Sequence, residues 1–203
     1  METKIAKGIS YVFHPLLIPF FTLILLLNLD IFVSHPVPLM FKIMLSGIVL
    51  LTTFVIPVAL TFLLYRLQLI TSFYLTSKAE RVYPILSVAV FYYVTFYILK
   101  GVHISTIFSF YMLGATLLAI LSLVINFYHK ISLHMIGIGS VTGLFLGLSL
   151  NFGIGLTTEL TASILVAGLI GFARIKSNSH DPAEIYSGFV TGVLTMTLLM
   201  LQL

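Results

Sequence analysis

The chain alternates between long apolar runs and short polar connections. Apolar stretches occupy about residues 9–29, 41–65, 85–100, 105–127, 134–152, 158–173 and 184–203. A helix crossing the bilayer needs roughly 17 to 25 such residues, so the pattern predicts seven helices, of which 85–100 and 158–173 are short. Lys100-Gly101-Val102-His103 alone separates 85–100 from 105–127, and a merged or re-entrant pair there would lower the count to six. The predicted fold is all-α, a polytopic transmembrane helical bundle of six or seven spans that forms a single integral membrane domain over 1–203. Gly139, Gly143 and Gly147 recur every four residues, as do Gly188 and Gly192. That spacing lays a small-residue face along two helices and predicts close packing.

The connections fall into two sets. Those near 30–40, 100–104 and 153–157 hold few ionisable groups. Those at 66–84, 128–133 and 174–183 carry Arg66, Lys78, Glu80, Arg81, His129, Lys130, Arg174, Lys176, His180 and Asp181. Two helices separate each of these from the next, so all three emerge on one face of the membrane.

Composition removes the main alternatives. Hydrophobic residues make up 60% of the 203 and charged residues 8%, far below the roughly one quarter that a soluble surface carries. With no cysteine, disulfides, thiolate nucleophiles and Cys-ligated metals are excluded. The net charge of +4 fits interfacial Lys and Arg, and no nucleic-acid partner is expected. Lys4 and Lys7 precede the first apolar run, but no small-residue cleavage site follows, so this run reads as a helix that stays in the membrane.

Against this background the segment ARIKSNSHDPAEIYSG, residues 173–188, is unusual for its five ionisable groups. Asp181 suits an N-cap, Pro182 the first helical position, and Glu184 completes a capping-box spacing. Helix capping gives His180 no task. A helix start offers free N–H groups and a positive dipole end to a phosphate, and Arg174 can reach the same place. Lys78 and Arg81, three residues apart, share a helical face and could grip one oxyanion or simply anchor the interface. The connection NFYHKISLHMIGIG, 126–139, adds His129, Lys130, Ser132 and His134. Two histidines, a carboxylate and several cations on one face are what phosphoryl transfer without a metal requires. Cations neutralise the phosphoryl oxygens, one imidazole attacks, a carboxylate orients it, and another imidazole protonates the leaving oxygen. Ser132 as nucleophile is disfavoured because it and His134 point to different faces with no orienting acid. A metal on His129, His134, His180 and Glu184 would be repelled by the cations unless phosphate accompanied it. His14 and His35, near the ends of the first two helices, are expected to be structural, while Pro15, Pro19 and Pro57 would start or kink helices.

These residues resemble the type 2 phosphatidic acid phosphatase superfamily. Arg174, His180 and Glu184 stand as R-x5-H-x3-E followed by Gly188, similar to that family's third signature, SR-x5-H-x3-D. The Lys78–Arg81–Pro84 segment resembles its first signature, and Ser132 with His134 its second, Pro-Ser-Gly-His. The three come in the family's order and cover about residues 66–203, the implied catalytic core. Departures are visible: the first signature is compressed, the second lacks its Pro and Gly, Ala173 replaces Ser, and Glu184 replaces Asp. The resemblance implies that His180 is the nucleophile, Glu184 orients it, His134 is the general acid, and Lys78, Arg81 and Arg174 bind phosphate, with no cofactor or metal. It implies a lipid phosphate or isoprenyl diphosphate as substrate, entering sideways from the membrane.

Two arguments about orientation conflict. The distribution of the remaining Lys and Arg places the charged face in the cytoplasm, whereas the resemblance implies the outer face of a bacterial inner membrane. The rival to an enzyme is a transporter or scaffold that binds an anionic lipid head group without turning it over.

Overall fold

The computed structural model describes residues 2–29, 37–72, 78–101 and 106–203, which form helices without strands. In chain order these are α1 (Glu2–Val12), a 3-10 turn (Pro15–Leu17), α2 (Ile18–Asn28), α3 (Leu39–Leu50), a π-helical turn (Leu51–Val55), α4 (Ile56–Arg66), α5 (Lys78–Lys100), α6 (Thr106–Tyr128), α7 (Leu133–Phe152), α8 (Thr157–Lys176) and α9 (Pro182–Met200). Among the described residues, seven helical stretches are long and apolar enough to cross a membrane: Lys4–Asn28, Leu39–Arg66, Glu80–Lys100, Thr106–Tyr128, Leu133–Phe152, Thr157–Lys176 and Pro182–Met200. The protein is an all-α integral membrane protein. The two stretches that look short in the sequence reach 21 and 20 residues, because their helices run on into the charged ends Glu80-Arg81 and Arg174–Lys176.

The first span is not one helix. Pro15 has no N–H and restricts His14 before it, so α1 stops at Val12 and a 3-10 turn intervenes. His14 takes an extended conformation (φ −60°, ψ 135°), and its Nδ1 accepts the Leu16 N–H at 3.3 Å. The second span is also interrupted. Its π-helical turn ends two residues before Pro57, and the Thr52 and Thr53 hydroxyls donate to the Ile48 and Val49 carbonyls at 2.9 and 2.8 Å. Hydroxyls thereby serve carbonyls that lipid could not satisfy. His35 lies outside the described residues.

The chain divides into two compact units. One joins Met1–Ile18 to His129–Leu203, and the other is Pro19–Tyr128. In the second, α5 packs along α6, and Glu80 Oε1 accepts both the Thr71 N–H (2.7 Å) and its hydroxyl (2.6 Å), tying the start of α5 to the loop before it. The first is organised by the glycine faces. A Cβ on Gly139 would lie 2.5 Å from the Phe189 carbonyl oxygen, and one on Gly143 2.5 Å from that of Val193. On the facing helix, a Cβ on Gly188 would sit 2.9 Å from the Ser132 carbonyl oxygen. The backbones of α7 and α9 therefore touch, the arrangement that the four-residue spacing predicts. Helix α1 packs on α8 in the same unit.

Candidate active site

Helix α8 ends at Lys176, and Ser177-Asn178-Ser179 turns the chain back. Asn178 adopts a left-handed conformation (φ 50°), which asparagine tolerates better than most residues. The Ser177, Asn178 and Ser179 N–H groups donate to the Ala173, Ile175 and Arg174 carbonyls at 3.1, 2.9 and 3.1 Å. This wrapped terminus delivers His180 to the mouth of α9. Asp181 caps α9 as its sequence position suggests, Oδ1 accepting the Glu184 N–H at 2.8 Å, with Pro182 at the first helical position.

The capping box is only half used. The Glu184 carboxylate accepts a hydrogen bond from His180 Nδ1 at 2.5 Å, and both side chains are nearly sealed from solvent, 7% and 9% exposed. Helical geometry explains the pairing, since residues four apart stand over one another. The same carboxylate oxygen lies 3.6 Å from Lys130 Nζ, which also donates to the Ser179 carbonyl at 2.8 Å. Lys130 thus clamps the 128–133 connection to the 174–183 turn, and a backbone bond from Ser132 N–H to the Glu184 carbonyl (3.3 Å) reinforces it.

Because Nδ1–H is committed to Glu184, His180 presents the Nε2 lone pair. Burial lowers its pKa from the usual 6.5 to about 4; the hydrogen bond to Glu184 pulls upward, and the charges of Arg174 and Lys130 add to the lowering. At neutral pH the ring is therefore an uncharged base with an oriented nitrogen, the state a nucleophile needs.

His134 occupies the second position of α7. Its Nε2–H donates to the Ser10 carbonyl at 3.1 Å. That carbonyl lies in the last turn of α1, whose ladder ends with Phe13 N–H on the Ile9 carbonyl just before the His14–Pro15 break. The bond leaves Nδ1 as the nitrogen of His134 that can exchange a proton. The His14 ring stands edge-on to His134, with centroids 5.9 Å apart and planes at 74°. Arg174, in the last turn of α8, is within electrostatic reach of His14, His134 and His180, and His180 is within reach of His134. Four of the residues singled out in the sequence, His180, Glu184, His134 and Arg174, thus belong to one unit and act on one another. Lys78 and Arg81 stand in the first turn of α5, in the other unit; Arg81 is half-buried and engaged, and the Lys78 side chain lies outside the described residues. The segment 66–203 is consequently divided between the units. No group of three or more metal-ligating side chains occurs among the described residues.

Two participants escape the sequence pattern. Lys130 acts as a clamp within the protein, where the sequence offers only a cation in a loop. His14, read as structural, does cap its turn but also faces His134; the available signal is an ionisable residue before a proline within an apolar run. Comparison with protein-family models, curated proteins and solved structures finds no match for this chain.

Proposed function

We propose that the protein is a membrane-embedded, metal-independent phosphatase that hydrolyses a lipid phosphate or isoprenyl diphosphate through a phosphohistidine, acting in a bacterial inner membrane. The observation that carries this reading is the buried His180–Glu184 pair, whose ring is neutral and oriented beside Arg174, Lys130 and His134. Buried ionisable clusters of this kind are expensive in a greasy protein and mark function more often than packing.

In the first step His180 Nε2 attacks phosphorus and the bond from phosphorus to the lipid oxygen breaks. Positive charge develops on the imidazole, and Glu184 stabilises it across the Nδ1 hydrogen bond. The proton of a phosphate monoanion passes through His134 Nδ1 to the departing lipid oxygen while the Ser10 carbonyl holds the Nε2–H of His134. Arg174 neutralises the phosphoryl oxygens. In the second step water attacks phosphorus, its proton passes through His134 Nδ1 to the phosphate that forms, the N–P bond breaks, and inorganic phosphate leaves with His180 and His134 restored.

The test is phosphate release by purified protein from phosphatidic acid, phosphatidylglycerol phosphate, an isoprenyl diphosphate and phosphorylated lipid A, with and without chelator. Turnover indifferent to chelator and abolished in His180→Ala supports the reading. Turnover surviving both His180→Ala and His134→Ala sinks it, and lipid binding without turnover by the wild type identifies a scaffold instead.

A further inference from the structure

We propose that Asn178 is a positioning residue of the site, its left-handed backbone closing the turn that holds Arg174 and His180 in the one relation that lets both meet a single phosphoryl group. The inference rests on the phosphatase reading and extends it to a residue that the R-x5-H-x3-E pattern leaves unspecified.

Five residues of chain between Arg174 and His180 allow many separations, so the spacing alone does not bring the two together. The turn does. With Ser177 capping α8, the Ser179 N–H returns to the Arg174 carbonyl at 3.1 Å and the Asn178 N–H to that of Ile175 at 2.9 Å, the paired bonds of a Schellman motif. That motif requires a positive φ at the residue after the cap, and Asn178 supplies it at 50°. The Ser177 hydroxyl adds a bond to the same Arg174 carbonyl at 3.3 Å and pairs with the Ser179 hydroxyl across Asn178 at 2.8 Å. The main chain of Arg174 is thus bound to both residues that flank Asn178, and the next residue is His180. From Ser179 the constraint passes outward, because its carbonyl accepts from Lys130 Nζ, the ammonium 3.6 Å from Glu184 Oε2. One positive φ therefore places two cations relative to the His180–Glu184 pair.

The Asn178 side chain is exposed, so the identity of this residue acts through the backbone and not through packing. Glycine takes a positive φ at no steric cost, whereas a β-branched residue there is strained. Gln68 provides a comparison. Also exposed, with φ 58°, it ends α4 by the same pair of bonds, Leu69 N–H on the Leu64 carbonyl (3.0 Å) and its own N–H on that of Tyr65 (3.1 Å). The cap of α8, by contrast, leads within two residues to His180.

The titration of His180 reports the turn without requiring turnover. The charges that act on it come from Glu184 on α9, Arg174 on α8 and Lys130 before α7, and His134 on α7 is also within reach. We would follow 15N-labelled histidine by NMR in the full chain in detergent, assigning His180 with His180→Ala, alongside lipid phosphate kinetics. In Asn178→Val the turn opens and Arg174 and Lys130 draw away. The His180 pKa should then rise from about 4 by about one unit, the low end of what a nearby charge does. Its kcat should fall about 100-fold, the cost of a misplacement of about 1 Å. Asn178→Gly should match wild type in both measurements. Gln68→Val, which strains a cap of the same kind, should lose stability as Asn178→Val does and leave the His180 titration and kcat unchanged. An unmoved His180 in Asn178→Val overturns the proposal, as does an equal rise in Asn178→Gly or Gln68→Val. Should Asn178→Val fail to fold, Asn178→Ala takes its place with the same two outcomes. A wild type that releases phosphate from no lipid removes the phosphatase reading, and the titration then still decides whether Asn178 positions His180.

Discussion

Replacing Gly139 by alanine tests whether the touching backbones of α7 and α9 hold the site together. The new Cβ would lie 2.5 Å from the Phe189 carbonyl oxygen and 3.2 Å from both its carbon and its Cα. These are main-chain atoms, so no side chain can rotate away. Restoring ordinary contact requires the helices to part by roughly 0.8 Å, a gap that forfeits a quarter to a half of each dispersion contact of about 0.1–0.2 kcal/mol. Over about 40 contacts, the number a single buried leucine makes, the loss is about 2 kcal/mol. Alanine regains at most about 1 kcal/mol of helix propensity. Gly168 on α8 supplies the internal control, since a Cβ there meets nothing within 4 Å. Gly168→Ala should be neutral or stabilising by up to about 1 kcal/mol, and the two variants should differ by about 2 kcal/mol in reversible unfolding from mixed micelles. Equal stability of the two would refute close backbone packing. Gly139 and Phe189 each lie five residues beyond a site residue, His134 and Glu184 respectively, so Gly139→Ala should also lose turnover disproportionately to its stability.

Four further outcomes follow from the site. Glu184→Gln removes the charge that faces Nδ1–H of His180, so kcat should fall about 10- to 100-fold, the worth of one charged hydrogen bond, with KM little moved; a kcat within about twofold of wild type refutes the orienting role. The acidic limb of kcat/KM should lie below pH 6.5, towards about 4, because the lowered pKa of His180 keeps it unprotonated there. The stability sign agrees: between about 4 and 6.5 the unfolded chain binds the proton that folded His180 refuses, so stability is lost as pH falls through this window, measurable by unfolding at stepped pH. Lys130→Met deletes one of the charges lowering that pKa and should move the acidic limb upward, while a limb that stays or moves down contradicts the assignment.

How far the site could be read from sequence depended on the separation of the partners. Asp181 capping α9 and Glu184 reaching His180 are contacts across three and four residues, and helix geometry alone brings such positions together. Even here the sequence left one choice open. A capping box would turn the Glu184 carboxylate back to the helix start, but the nearly sealed His180 Nδ1–H takes it. The seven spans were legible for the same local reason, and the two that look short did so because charged residues were counted as loop when they are the ends of helices. Lys130 on the Ser179 carbonyl and His134 on the Ser10 carbonyl join residues 49 and 124 apart. No periodicity predicts them, because they depend on how α1, α7, α8 and α9 pack.

A proline in a membrane helix changes more than the path of the chain. Pro15 and the extended His14 before it end α1 at Val12, which puts the Ser10 carbonyl in the last turn of the helix, within reach of a donor from outside it. His134 supplies it, and in doing so fixes which of its nitrogens carries the exchangeable proton. The break that looks like a defect in the first span therefore sets the protonation geometry of a residue on the fifth. Every change that heals the break, Pro15→Ala included, should return the Ser10 carbonyl to an intrahelical partner and release His134. Loss of turnover with preserved folding is the expected result for Pro15→Ala; full turnover would mean that the Ser10 contact does not orient His134.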